Sequence, residues 1–250
     1  MAVACHCLQL VIVKLKQCIK MKILSYNIST CKQWKVDRLL EIDADIFVVP
    51  EMACAEQMAI PESHEMAWNG IKWEYGEELR SKGLGIIWKK GCGVIPEWYN
   101  PELTFAIPLI CNGTLVLAFW PTKRKGVSDQ MKYPQIAQIL IEEYKPHFAE
   151  NPTVIIGDFN CYVNQSDYTK KYGDILRVNE ILEYAGLHSV YHKQTGEKFG
   201  EETHPTYFHL FKPELPFMLD YAYTNIKVKS FSLLQPDLKM SDHVGLCLEI

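Results

Sequence analysis

Short apolar runs bounded by turn residues recur along the chain, and no internal repeat of fixed period organises them. Runs of this length, rich in β-branched and aromatic residues, are typical of strands. The clearest predicted strands are Lys22–Ile28, Asp45–Val49, Gly85–Trp88, Leu115–Trp120, Thr153–Ile156, Leu219–Thr224 and His243–Ile250. The pattern therefore predicts a fold with many strands.

Three segments show helical spacing instead. Trp34–Ile42 and Asp129–Tyr144 carry apolar residues at steps of three and four, and Asp174–Tyr184 precedes a terminating Gly186. No linker rich in Pro, Ser or Gly divides these elements, and strands outnumber what a regular βαβ series supplies. We expect one domain built as a layered sandwich of sheets flanked by helices.

The first twenty residues differ from the rest of the chain. They carry Lys14, Lys16 and Lys20 and no acidic residue, and their apolar piece, Leu8–Val13, precedes these lysines. A secretory signal has the reverse order and ends in a small-residue cleavage site. We expect residues 1–20 to be a dispensable extension outside the fold, with a membrane-surface helix as the alternative. Residues 21–250 then form the domain.

Composition narrows the class of protein. Hydrophobic residues make up 48% of the 250 and charged residues 22%, which is ordinary for a globular chain with a buried core. The net charge of −4 argues against a nucleic-acid binder coated in positive charge. No apolar run approaches the roughly 20 residues of a membrane span. The nine cysteines are odd in number and scattered, as expected of free thiols in the cytoplasm. We expect a soluble, cytoplasmic monomer.

Polar residues capable of chemistry stand where the predicted strands begin or end. Taken singly, each is also explained as a turn, loop or surface residue. Strand ends present side chains to clefts, however, and Asp158 and Asn160 are two positions apart, so they project from the same side of an extended chain. The candidates are Asn27, Glu51, Asp158, Asn160, Asp220, Asp242 and His243.

These residues occur in motifs whose order resembles the endonuclease/exonuclease/phosphatase superfamily, and in particular its small, mostly bacterial members. The motifs are Ser25-Tyr26-Asn27, Pro50-Glu51, Gly157-Asp158-Phe159-Asn160, Leu219-Asp220-Tyr221 and Ser241-Asp242-His243. The resemblance covers residues 21–250. It implies an α+β fold, a four-layered α/β/β/α sandwich of two packed, mainly antiparallel sheets flanked by helices. It also implies metal-dependent hydrolysis of a phosphate ester.

The resemblance assigns roles to the candidate residues. Glu51 is the expected main ligand of Mg²⁺, with Mn²⁺ as the alternative ion, and Asp242 and Asn27 complete or neighbour its coordination sphere. Asp158, Asn160, Asp220 and His243 form the expected catalytic group, in which Asp220 orients His243. Asn27 and Asn160 also supply amide donors to the phosphate. Which acid or base moves the proton stays open.

The substrate is less defined by the sequence. The predicted strand Leu115–Trp120 ends in Trp120, where the nucleases of this superfamily carry a His or Tyr. Trp120 is interpreted as a stacking surface on the cleft wall, with core packing as the alternative. Lys123, Arg124 and the pair Lys170-Lys171 are interpreted as phosphate contacts at the rim, with solvated loop lysines as the alternative. Tyr207 is expected to line the pocket.

Two further expectations concern the substrate class. The stretch between Glu51 and Gly83 shows no recognisable inserted element for binding DNA or lipid. The leading function is a phosphodiesterase or nuclease, with nucleic acid among the candidate substrates. The alternatives are a phosphomonoesterase acting on a nucleotide, sugar or lipid headgroup, and a non-catalytic protein that binds phosphate ligands.

Overall fold

A computed structural model describes residues 20–126, 128–163 and 173–250. Its strands, in chain order, are β1 Lys22–Ser25, β2 Ile46–Met52, β3 His64–Tyr75, β4 Glu78–Lys89, β5 Gly93–Val94, β6 Ala106–Cys111, β7 Thr114–Phe119, β8 Thr153–Asp158, β9 His188–Ser189, β10 Tyr207–Phe208, β11 Pro216–Phe217, β12 Asp220–Thr224, β13 Ser230–Leu233 and β14 Leu246–Glu249. Its α-helices are α1 Gln33–Leu40, α2 Tyr133–Phe148, α3 Ile175–Tyr184 and α4 Val190–Thr195.

The strands form two six-stranded sheets and one small hairpin. The first sheet has the order β13-β14-β1-β2-β4-β3 and the second has the order β5-β6-β7-β8-β12-β9, while β10 pairs with β11. Within each large sheet one neighbouring pair is parallel, β1 with β2 and β7 with β8, and the other pairs are antiparallel. The mainly antiparallel topology predicted for the chain is confirmed.

Alternation along the strands explains how the layers stack. In β2, Ile46 and Val48 enter the core between the sheets, whereas Phe47 and Val49 face the outer core that contains Val36 of α1. Successive side chains of a strand point to opposite faces, so a strand that is apolar at every position needs a cover on both sides. Helix α1 covers the first sheet, and α2 and α3 cover the second. The result is the four-layered α/β/β/α sandwich that the resemblance implies.

The seven predicted strands and three predicted helices all occur, with shifted ends. Helix α2 begins at Tyr133 rather than Asp129, because Pro134 occupies its first turn, where a proline loses no helical hydrogen bond. The stretch between Glu51 and Gly83, in which the sequence shows no recognisable inserted element, contains strand β3 and the first part of β4. Strands β3 and β4 pair over their full lengths, from His64 opposite Lys89 to Tyr75 opposite Glu78, and form a long hairpin.

Three further expectations concern the N-terminal extension, the cysteines and the predicted absence of a membrane span. The extension lies outside the described residues except for Lys20, and the domain boundary stays a prediction. Met21 is 2% exposed and exchanges backbone hydrogen bonds with Ile250. The six described cysteines are free thiols. Across the described ranges, we find no helix with the length and hydropathy to cross a membrane.

Candidate active site

Two carboxylates face each other across the centre of the second sheet. Strands β8 and β12 are antiparallel, and their register places Asp158 directly opposite Asp220. Residues paired in this way have neighbouring side chains. Both residues are 1% exposed. Close packing fixes this part of the ladder, because a Cβ added to Gly157 would lie 1.8 Å from the Phe119 carbonyl oxygen of β7. The predicted placement of Asp158 and Asp220 at strand ends therefore produces a buried acid pair.

His243 completes a buried cluster with this pair. Its Nδ1 donates a hydrogen bond to Asp220 Oδ2 over 2.8 Å, and its Nε2 lies 4.0 Å from Asp158 Oδ2. The oxygen of Asp220 can only accept, so it fixes the ring with Nδ1 protonated and turns Nε2 towards Asp158. Thr206 orients Asp220 in turn, because its Oγ1 accepts the backbone N–H groups of Leu219 and Asp220 at 3.0 Å.

Asn27 joins the cluster from the first sheet. Its Nδ2 donates to Asp158 Oδ2 over 3.0 Å, and its side chain is fully buried. The loop that follows Asn27 is tied down by Lys35 of α1, whose Nζ donates to the Ile28 and Ser29 carbonyl oxygens. Ser241 Oγ donates to the Asn27 carbonyl oxygen over 2.6 Å. The two sheets thus contribute to one site through side chains far apart in sequence.

Burial and mutual charge determine the proton affinities of the cluster. Burial raises the pKa of the Asp158 carboxyl to about 7; the positive charge of His243 opposes this rise and the charge of Asp220 adds to it. Burial alone would lower the pKa of His243, but the carboxylates of Asp220 and Asp158 outweigh it and raise that pKa to about 9. At neutral pH the imidazole is therefore cationic, while Asp158 exchanges a proton in the physiological range.

Glu51 occupies the bulge of β2. The register of β2 with β4 shifts between Pro50 and Met52, and Glu51 has a positive φ of 63°. A bulge of this kind redirects a side chain away from the regular alternation. The Glu51 carboxylate is only 19% exposed, and its Oε2 accepts the Thr30 N–H at 3.2 Å and lies 3.0 Å from Lys82 Nζ. The Lys82 ammonium therefore neutralises the Glu51 carboxylate at the mouth of the site.

Two groups of side chains could hold a metal ion. The ligand atoms of Asp158, Asp220 and His243 lie within 4.8 Å of one another. Their chemistry fits a metal poorly, however, because an imidazole must be deprotonated to bind one and the pKa of His243 is raised to about 9. Glu51 lies at the half-buried mouth and offers the hard oxygen that Mg²⁺ prefers. The oxygen donors at the mouth therefore fit a divalent cation better than the buried cluster does.

Tyr207 lies among the acids of the site. Its ring packs on His243 with centroids 4.7 Å apart, and its hydroxyl is 3.0 Å from His209 Nδ1. Burial raises the pKa of Tyr207, and the charges of Asp242, Asp158 and Glu51 add to the rise. The structure thus brings Asp242, half-buried and adjacent to His243, into the electrostatic surroundings of Glu51.

The remaining described candidates lie on loops. Asn160 has a positive φ of 51°, its N–H donates to Asp158 Oδ1 over 2.8 Å, and its Nδ2 donates to the Pro121 carbonyl oxygen. Lys123 Nζ lies 5.8 Å from the ring centre of Tyr133, a residue whose pKa is raised by burial and then by the charges of Asp158 and Glu51. Lys123 thus lies beside a residue that feels the charges of Asp158 and Glu51. The side chain of Arg124 shows no contact with the described site residues, and Lys170-Lys171 lies outside the described residues.

The position of Trp120 does not agree with the preferred interpretation, in which this ring is a stacking surface on the cleft wall. It is 3% exposed and packs edge-on against Phe105 with ring centroids 5.1 Å apart, while the ammonium of Lys82 lies 5.5 Å from its ring centre. A ring so deeply buried has no free face for a substrate base. The structure supports the alternative, in which Trp120 fills the core beneath Lys82 and Glu51.

Replacement of Trp120 by alanine is expected to destabilise the protein. Removal of a buried aromatic ring costs about 3–5 kcal/mol of unfolding free energy, whereas loss of a stacked substrate base would raise KM at constant stability. Urea denaturation and steady-state kinetics on Trp120→Ala separate the two effects. An unchanged denaturation midpoint with a raised KM would restore the stacking interpretation.

Three supporting residues had not been selected from the sequence. Lys82 neutralises Glu51, Thr206 positions Asp220, and Lys35 anchors the loop after Asn27. Thr206 belongs to the stretch His204-Pro205-Thr206-Tyr207. Its position next to Tyr207, the predicted pocket aromatic, was the sequence signal that could have identified it. The sequence around Lys82 and Lys35 carries no such signal. The contact of Lys82 depends on the bulge that turns Glu51 towards it, and the contacts of Lys35 depend on how α1 packs against the loop.

The layered fold places the candidate site where its two sheets come together. Two packed sheets meet along one edge, where strand ends and loops place carboxylates, amides and one histidine. This is the fold of the endonuclease/exonuclease/phosphatase superfamily, the resemblance that the sequence motifs indicate.

Solved structures agree on the fold. The chain is similar to a 3′ phosphatase, NExo, from Neisseria bound to product DNA hairpin (TM-score 0.68, 18% identity, 92% of this chain and 99% of that chain covered). It is also similar to an AP endonuclease from Archaeoglobus fulgidus (TM-score 0.63, 17% identity, 91% and 98% covered). A third similar structure is the human Nocturnin catalytic domain with bound sulfate anion (TM-score 0.60, 16% identity, 92% and 93% covered). No protein-family model and no curated protein sequence matches the chain.

Proposed function

We propose that the protein hydrolyses phosphate esters, and that its substrates are phosphodiesters. The single observation that carries this proposal is the buried cluster of Asp158, Asp220, His243 and Asn27 at the edge of the two sheets. A buried acid pair beside a cationic imidazole costs folding free energy, and perturbed groups of this kind concentrate at catalytic sites. The fold shared with phosphatases and nucleases supports the same conclusion.

The residues of the cluster divide the chemistry between them. Asp158 has a pKa of about 7, so it can position the attacking water and accept its proton near neutral pH. His243 is cationic at that pH and offers Nε2–H to the negative charge that develops on the phosphoryl oxygens. Asp220 holds the imidazole in this orientation. Asn27 and Asn160 hold the phosphate or the water with neutral amide donors.

The proposal includes a divalent metal at the mouth. Glu51, with Asp242 and Asn27, would hold Mg²⁺, or Mn²⁺ in its place, through oxygen atoms. When bound, the ion supplies positive charge to the oxygens around the reacting phosphorus. Lys82 balances the Glu51 carboxylate in the free protein, and its side chain is 43% exposed, so it can swing away when a metal ion or substrate arrives.

Trp120 bears on which phosphodiesters the protein hydrolyses well. The position carries a buried indole, so the polar contact to the phosphate found there in the superfamily's nucleases is replaced by packing. We expect slow turnover on duplex DNA for this reason. Robust nicking of plasmid by the protein would overturn that expectation without affecting the broader proposal.

One substrate panel tests the proposal. Purified protein is assayed with Mg²⁺ or Mn²⁺ on plasmid, abasic duplex, RNA, bis(p-nitrophenyl) phosphate and p-nitrophenyl phosphate. We expect metal-dependent hydrolysis of a diester that EDTA abolishes. Hydrolysis of p-nitrophenyl phosphate alone would instead identify a phosphomonoesterase. No hydrolysis of any substrate by protein with a normal circular dichroism spectrum would refute the proposed activity.

A further inference from the structure

The β3–β4 hairpin extends beyond the sheet to which it belongs. Strand β2 pairs with β4 only from Ile46 opposite Trp88 to Met52 opposite Gly83. Residues 71–82, which we call the arm, continue past that point and pair with each other. Gly76, with a positive φ of 64°, and Glu77 close the turn at the tip. The arm thus projects past the end of β2, near which Glu51 lies. Residues 72–80 are all exposed.

The register assigns the side chains of the arm to two faces. Lys72, opposite Ser81, belongs to a covered face. On this face Lys72 Nζ bonds Glu56 at 2.7 Å, and Ser81 Oγ accepts the Cys54 N–H at 2.8 Å and also bonds Gln57. The short 3-10 turn Ala55–Gln57 therefore packs along one side of the arm.

The opposite side, which we call the open face, carries three cross-strand pairs. They are Ile71 with Lys82, Trp73 with Arg80, and Tyr75 with Glu78. Side chains of one face recur every second residue, so these pairs span about 14 Å from the base to the tip. At the base, Lys82 bonds Glu51, which makes the open face continuous with the mouth of the candidate active site.

The open face combines flat rings with two cations, each beside a carboxylate: Arg80 lies 3.3 Å from Glu78 and Lys82 lies 3.0 Å from Glu51. Trp73 is 42% exposed and Tyr75 is 66% exposed. The guanidinium of Arg80 lies 4.3 Å from the centre of the Tyr75 ring. Aromatic rings interleaved with Arg and Lys form the surface on which proteins stack unpaired bases while they contact the phosphates between them.

We infer that the open face binds single-stranded nucleic acid, with bases stacked on Trp73 and Tyr75 and phosphates beside Arg80 and Lys82. The inference rests on the proposed function, because it supplies that site with its substrate class. A strand lying along the arm would lead one of its phosphates to Glu51. Unpaired bases are required, since paired bases keep their faces stacked within the duplex.

A lipid surface fits the arm less well. Glu77 and Glu78 occupy the tip and Glu74 lies beside it, so carboxylates would enter the headgroup region first. Segments that bind membrane surfaces instead carry Lys and Arg around their apolar side chains and are attracted to anionic lipid. Charge therefore favours a strand that lies across the rings over a bilayer that receives the tip.

Oligonucleotide binding without turnover tests the inference. A fluorescein-labelled oligothymidylate of about 15 nucleotides, a length near the upper site size of single-strand binders, is titrated with protein in EDTA and followed by anisotropy. A stacked base is worth roughly 5- to 150-fold in affinity. We expect the double variant Trp73→Ala/Tyr75→Ala to bind at least about tenfold more weakly than the unaltered protein. Leu79→Ala, on the covered face of the same arm, is the matched control and should bind as the unaltered protein does.

Three results would overturn the assignment. The first is unchanged oligonucleotide affinity in the double variant, and the second is equally tight binding of a duplex of the same length. The third is loss of binding to phosphatidylcholine/phosphatidylserine vesicles in the double variant with oligonucleotide affinity retained, which would assign the arm to a membrane. Hydrolysis of bis(p-nitrophenyl) phosphate should be equal in the Leu79→Ala variant and the unaltered protein. Its absence from the unaltered protein would refute the proposed function and leave the binding result standing.

Discussion

Asp220→Asn and His243→Gln are each expected to slow diester hydrolysis by about 10²–10⁴-fold, the range found for positioned acid–base groups. The double variant should be hardly slower than the slower single variant. His243 is held in orientation and kept cationic by Asp220 through a 2.8 Å hydrogen bond, so either change removes the same function. Effects within such a unit are far from additive. Initial rates on bis(p-nitrophenyl) phosphate measure the comparison.

The chain provides a matched control for this pair. His192 Nε2 lies 3.1 Å from Glu202, and both side chains are 9% exposed, so this is a second buried histidine–carboxylate pair. Neither residue is a candidate site residue: His192 stacks on Phe199 at 3.6 Å and on Tyr221, the neighbour of Asp220, at 6.3 Å. His192→Gln should lower the melting temperature and leave the rate of the remaining folded protein unchanged. Losses that multiply in the Asp220→Asn/His243→Gln double variant would show that the two residues act independently.

Glu51→Gln is expected to abolish metal-dependent hydrolysis and to weaken Mg²⁺ binding by at least roughly tenfold, since even outer ligands of metal sites change affinity by 10–100-fold. Stability should barely change. The ion pair with Lys82 is partly exposed and contributes about 1 kcal/mol or less, and glutamine preserves the length of the side chain at the bulge. Calorimetric titration with Mg²⁺ and thermal melts are the two measurements.

Glu56→Gln controls for the loss of one surface carboxylate. Glu56 pairs with Lys72 at 2.7 Å, much as Glu51 pairs with Lys82, but it belongs to the turn behind the covered face of the arm. Its replacement should leave Mg²⁺ affinity and the hydrolysis rate unchanged. Equal Mg²⁺ affinity in the Glu51→Gln variant and the unaltered protein would remove Glu51 from the metal site.

Asp158 and Asp220 could be selected as candidates because their signals are local, whereas their pairing is seen only in the structure. Asp158 directly ends an apolar run and Asp220 begins another, and the register of β8 with β12 then brings them together. The same runs predicted a layered sandwich of sheets flanked by helices, and the resemblance implied its four layers. Strand β6 contains Pro108, which cannot donate a ladder hydrogen bond and so weakens the strand signal of this segment. The structure accommodates this proline because β5 pairs with Ile110 and Cys111, beyond the position of Pro108.

The arm and Trp120 depend on features that a sequence does not show locally. Every residue from 72 to 80 is exposed, including those on the covered face, so no apolar run marks these strands, and their pairing is set by the turn at Gly76. A residue that directly follows a strand, such as Trp120, can point into the core or into a cleft. Its direction here is fixed by Phe105, whose carbonyl oxygen accepts the Trp120 N–H at 2.9 Å.

The direct pairing of Asp158 with Asp220 makes the separation of the two acids a property of the main-chain ladder. A slip of one residue in either strand would send one carboxylate to the opposite side of the sheet. Amide hydrogens in the middle of such a ladder exchange with solvent only when the whole domain opens. In the proposed site the two acids therefore cannot adapt their spacing to different substrates, and discrimination would fall to the loops and the arm. These outer parts can be exchanged or redesigned while the interior chemistry stays as it is.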